Sequence, residues 1–108
     1  MNLKELGQNI GLEEEEFIEM LDLFIESGGA DLDRLEAAIK AGNAEKAHEA
    51  SHSIKGSSGS LMLNEIFDLS KSIDDIVRTG TLEGIDEMVV KLRNDYETLK
   101  KEIAESKS

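Results

Sequence analysis

Apolar residues recur along this chain at intervals of three and four, the spacing of helices that bury one face. Leu3, Leu6 and Ile10 form a short stripe that ends at Gly11, and Phe17, Met20, Leu21 and Phe24 occupy i, i+3, i+4 and i+7 of a longer one. Gly28 and Gly29 come next. Each glycine costs about 1 kcal/mol in a helix interior, so the pair marks a break or a bend. A bend in one long hairpin arm is the preferred reading, because Leu32, Leu35 and Ile39 resume the stripe. Gly42 and Asn43 then read as a helix stop followed by an N-cap.

The third stripe is made mostly of small residues: Ala44, Ala47, Ser51, Ile54, Ser58 and Leu61 form its inward seam. Asn64 is the expected N-cap of the next helix, with Ile66, Leu69, Ile73 and Ile76 as its apolar face and Thr79, Gly80 and Thr81 as its end. The last stripe is Ile85, Met88, Leu92, Tyr96, Leu99 and Ile103. Short connections make successive helices antiparallel neighbours. The predicted fold is therefore all-α: an up-and-down antiparallel four-helix bundle with a short additional N-terminal helix. Residues 1–108 are expected to form one domain, with residues 105–108 a frayed tail.

Composition agrees with a helical class. The chain lacks proline, has only Phe17, Phe24, Phe67 and Tyr96 as aromatics, and is rich in Glu, Leu, Lys and Ala. Without cysteine there is no disulfide, thiolate metal site or cysteine nucleophile. Its 24 Asp and Glu against 12 Lys and Arg give a formal charge of −12, which repels phosphate backbones and anionic lipids. Nucleic acid and membrane are thus poor partners and a protein patch a better one. Residues 1–10 carry neither a basic n-region nor an apolar h-region, and no apolar run is long enough to span a bilayer, so a cytoplasmic location is expected.

The charge is uneven. Residues 1–40 hold 11 acids and 3 bases, residues 64–108 hold 11 and 7, and residues 41–63 hold 2 and 2. The neutral segment contains both histidines. On its outer face His52, Lys55, Gly56 and Gly59 fall at i, i+3, i+4 and i+7, placing an imidazole, an ammonium and two bare backbone positions on one stripe. Two explanations account for glycines there: a neighbouring helix packs tightly on them, or they clear space for another protein's reactive group to reach His52. An imidazole ordinarily titrates near ~6.5, so at neutral pH its uncharged form is available as a nucleophile. Lys55, one turn on, suits an anionic group such as a phosphoryl attached to that ring.

The run His52-Ser-Ile-Lys55-Gly56-Ser57-Ser58-Gly59-Ser60-Leu61 resembles the active-site helix of histidine-containing phosphotransfer (HPt) domains, whose motif is His-x-Leu-Lys-Gly followed by small residues. Leu69, Ile73, Asp74, Val77, Arg78 and Gly80 resemble the family's pattern in the following helix, so the similarity covers about Ala47 to Gly80. Met62 stands where the family usually has glycine, and Asp74 where it usually has glutamate. The resemblance implies that His52 accepts a phosphoryl group from a receiver domain's aspartyl-phosphate and returns it to another receiver. It implies that Lys55 holds the phosphoryl oxygens and Gly59 leaves room for the receiver's loops, with Gly56, His48 and Met62 on the docking face. The implied partners are response-regulator receivers and a sensor or hybrid histidine kinase. No cofactor is expected on this chain, since Mg2+ belongs to the receiver. No ATP-binding glycine loop with its required lysine, serine or aspartate is present, so the chain is expected to carry phosphate without kinase activity of its own. A docking module that never carries phosphate is the alternative from another class.

His48-Glu49-Ala50-Ser51-His52 also satisfies the His-Glu-x-x-His zinc signature, with Asp74 or Asp75 as conceivable third ligands. It is disfavoured. A helical chain of this size leaves little room for the edge strand and cleft that hold a peptide, and the glycines go unexplained; His48 then reads as a solvated bystander. Glu13 to Glu16 read as dipole partners in a first helical turn, and Met20, Met62 and Met88 as gap fillers, Met62 also lying near the histidine face.

Overall fold

The computed structural model describes residues 3–107. It contains five helices: α1 (Leu3–Asn9), α2 (Glu14–Lys40), α3 (Ala44–Ser60), α4 (Asn64–Val77) and α5 (Asp86–Ser106). Helices α2 to α5 form the up-and-down bundle. In it α3 packs on α2 and α4, α5 closes the ring against α4 and α2, and α1 lies on α2. Phe17, Leu21, Leu32 and Leu35 of α2 meet Ile54 of α3, Ile73 of α4, and Leu92 and Leu99 of α5 in the core. Among the described residues no helix is long and apolar enough to cross a membrane.

Helix α2 runs unbroken through Gly28 and Gly29, and the reason for these residues is tertiary. A Cβ on Gly29 would lie 2.4 Å from the Tyr96 hydroxyl, which donates a 2.6 Å hydrogen bond to the Ile25 carbonyl. Gly28 is covered by the Phe24 ring, 3.2 Å from where its Cβ would be. Arg93 adds a second tie between α5 and α2 through Glu36 at 2.6 Å and Asp33 at 2.8 Å.

The turn from α2 to α3 follows the sequence reading. Gly42 adopts φ +67°, a left-handed geometry that glycine tolerates, and Asn43 Oδ1 accepts the Lys46 N–H at 3.0 Å. The turn from α3 to α4 does not. Leu63, not Asn64, is the N-cap, and Asn64 is already helical with no capping bond from its side chain. The boundary is set by the preceding C-cap: the Met62 N–H donates to the Gly59 carbonyl at 3.1 Å and the Leu63 N–H to the Ser58 carbonyl at 2.9 Å. That bond pattern requires a left-handed residue, and Met62 supplies it with φ +56°.

Other expectations shift by a residue or two. Val89 is buried on α5 and Met88 only half-buried. Met20 and Met62 are exposed rather than filling gaps. The expected frayed tail is helical through Ser106, and Lys107 pairs with Asp22 at 2.6 Å; Ser108 lies outside the described residues.

Candidate functional site

Helix α3 approaches its neighbours closely because its seam is small. Ala47, Ala50, Ser51, Ile54 and Ser58 are buried, and Ala44 is half-buried at the edge. The hydroxyls are satisfied locally: Ser58 donates to the Ile54 carbonyl at 2.6 Å and Ser51 to the His48 carbonyl at 3.2 Å, so their burial leaves no orphan donor. On the α2 side, Ser53 Oγ donates to buried Asp31 at 2.7 Å, and Arg34 pairs with the same carboxylate. The other face of α3, carrying His48, His52 and Lys55, turns towards α4.

There the fully buried Asp74 of α4 gathers four groups. His48 Nδ1 lies 2.6 Å from Oδ1. Arg78 donates to Oδ2 at 2.8 Å, Lys55 Nζ at 3.2 Å, and His52 Nδ1 stands 3.6 Å away. Burial pushes the Asp74 carboxyl up, but hydrogen bonds from Arg78, Lys55 and His48 outweigh it and hold the group below the ordinary carboxylate range. His52 is the open member: 62% of its side chain is exposed, against 37% for His48 and 23% for Lys55. With Nδ1 towards Asp74, the ring's Nε2 edge is the one left to solvent.

The two glycines have different reasons. Nothing lies within 4 Å of a Cβ built on Gly56, so no packing explains its lack of a side chain. A Cβ on Gly59 would lie 3.1 Å from the Phe67 ring of α4, so there the close approach of a neighbouring helix is the explanation. Met62 is exposed at the C-terminal end of the same helix.

Sequence reading thus located His52, Lys55 and Gly56 on one open face but misread two residues. His48 is no solvated bystander, since its Nδ1 is buried against Asp74. Asp74 itself was legible only as a motif position or a conceivable zinc ligand. The signal that singles it out is an acid flanked by the buried Ser70, Ile73 and Val77, four residues before Arg78. Among the described residues no group of three or more His, Asp or Glu is placed to hold a metal ion. Asp75, the other conceivable ligand, is engaged by Lys71 at 3.0 Å.

Residues 19–102 match the family model for the Hpt domain, and the chain belongs to that family, the histidine phosphotransfer proteins of phosphorelays. Its fold is also similar to the crystal structure of histidine-containing phosphotransfer protein B (HptB) from Pseudomonas aeruginosa PAO1. That match has a TM-score of 0.78 at 22% identity and covers 86% of this chain and 81% of that one. A comparison with curated proteins returned no match.

Proposed function

We propose that His52 is the phosphoryl carrier, accepting the group from the aspartyl-phosphate of one response-regulator receiver and passing it to the aspartate of another. The observation that carries this reading is the exposed His52 ring with its Nδ1 edge turned to a buried carboxylate. A proton held at Nδ1 leaves the Nε2 lone pair free as the nucleophile. Nε2 forms the N–P bond as the P–O bond to the donor aspartate breaks, and the carboxylate leaves with the electron pair. The Nδ1 proton stays on the ring, and the positive charge that attack creates there faces Asp74. Lys55 turns from Asp74 to the phosphoryl oxygens, as a charge-assisted partner within one helical turn. Open space at Gly56 admits the receiver's loops, and the receiver supplies the Mg2+ that neutralises charge in the transferring group. A sensor or hybrid kinase stands upstream as the source of phosphate.

The test is incubation with a phosphorylated receiver, following label that is acid-labile and base-stable. His52→Ala is expected to take up none; undiminished uptake by that variant overturns the assignment.

A further inference from the structure

Asp74 has more cationic partners than one carboxylate needs, and they divide between its oxygens. Oδ2 takes Arg78, Lys55 and the His52 edge, whereas Oδ1 faces His48 alone. Oδ1 and His48 Nδ1 are both buried and, although 2.6 Å apart, neither makes an aligned hydrogen bond to any group among the described residues. The two imidazoles stand 5.7 Å apart between centroids. Before transfer Asp74, Lys55 and Arg78 sum to one positive charge. A phosphoryl group on His52 adds about two negative charges. The ring cation formed by attack offsets one, and Lys55 leaves Asp74 for the new anion. One further positive charge restores the original balance, and His48 is the group placed to bind it.

We infer that His48 is a positioning residue that takes up a proton when His52 is phosphorylated, replacing Lys55 as counter-cation to Asp74 and holding that carboxylate against the His52 ring. The inference rests on His52 as the phosphoryl carrier. Other charged groups do not offer the same service. On α4, Lys71 is paired with Asp75. On α2, Asp31 and Arg34 meet the Ser53 side of α3, more than a third of a turn from His48. On α3 itself Lys46 lies on the opposite face, and Glu45, one turn before His48, and Glu49, one turn before His52, share the histidine stripes but are acids that cannot supply a positive charge.

The sign follows from linkage: a phosphorylated state that binds one more proton is favoured at low pH and disfavoured as pH rises. The chain has only two histidines, so the ring resonances of His48 and His52 are separable by 15N NMR once His48→Gln is compared with wild type. Phosphorylating the whole chain from a receiver is expected to move the His48 ring towards the protonated form at neutral pH. The equilibrium constant for uptake should fall about tenfold more between pH 6 and pH 8.5 in wild type than in His48→Gln, which keeps a hydrogen-bonding side chain but cannot titrate. Because the same receiver serves both proteins, its own titration cancels. A His48 ring unchanged by phosphorylation, or identical pH profiles in the two proteins, overturns the inference. Absence of label on His52 overturns the carrier role instead, so the two failures are distinguishable.

Discussion

Replacing Asp74 by Asn removes the charge at the centre of the site while keeping the shape of the side chain. Hydrogen bonds to a charged acceptor are worth about 1.5–3 kcal/mol each, and Arg78 and Lys55 make two of them at 2.8 and 3.2 Å. Three considerations reduce that sum. Asn retains one acceptor oxygen, the desolvation cost of a fully buried carboxylate disappears, and both cations are partly exposed and can return to water. The expected net loss is about 1–2 kcal/mol at neutral pH. For a domain near 100 residues, each kcal/mol corresponds to about 4–8 °C in Tm. Since folding lowers the Asp74 pKa, its stabilisation is complete above the unfolded-state value of about 3.9 and is lost as pH falls through the lower folded value. The gap between wild type and Asp74→Asn in urea unfolding followed by circular dichroism should therefore be full at pH 6–7 and shrink below about pH 4. On the proposed mechanism phosphotransfer should slow about tenfold or more in the variant, because the carboxylate charge 3.6 Å from the His52 ring is gone. Equal stability at neutral pH, or a difference that persists undiminished well below pH 3, refutes the argument.

Other substitutions test separate parts of the molecule. Gly56→Ala should stabilise the fold by about 0.5–1 kcal/mol in urea unfolding, since alanine is the better helix former and nothing lies within 4 Å. Gly56→Trp should stay folded yet slow transfer from a receiver, and an unaltered rate removes Gly56 from the docking face. Met62→Gly relieves a left-handed methionine that is 43% exposed, so a gain of about 1 kcal/mol is expected in the same assay. Gly29→Ala should cost about 1–3 kcal/mol by driving a methyl group into the Tyr96 hydroxyl, and Tyr96→Phe in the same chain should recover part of the loss. No recovery in that double variant removes the hydroxyl as the cause.

The negative charge of the chain and the neutrality of its third helix describe the same arrangement from two distances. Acidic residues dominate the flanking helices, and a phosphoryl group on α3 would add to that charge. Helix α3 holds as many bases as acids, and Asp74, the acid buried against its histidine face, is surrounded by cations.

By itself the sequence determined the class of fold, the number of helices, the turn at Gly42 and Asn43, and the open face with His52, Lys55 and Gly56. All of these follow from helical spacing and local backbone preference, which operate within a few residues of the chain. The tertiary structure alone decided which glycine yields to a neighbour and which to solvent, because Phe67 meets Gly59 and Tyr96 meets Gly29 only after the helices pack. It also turned Asp74 from a motif position into the hub of the site and made His48 part of it. These roles depend on a carboxylate from one helix being buried against the ammonium and imidazoles of another, and the spacing of residues along a single helix carries no record of that contact.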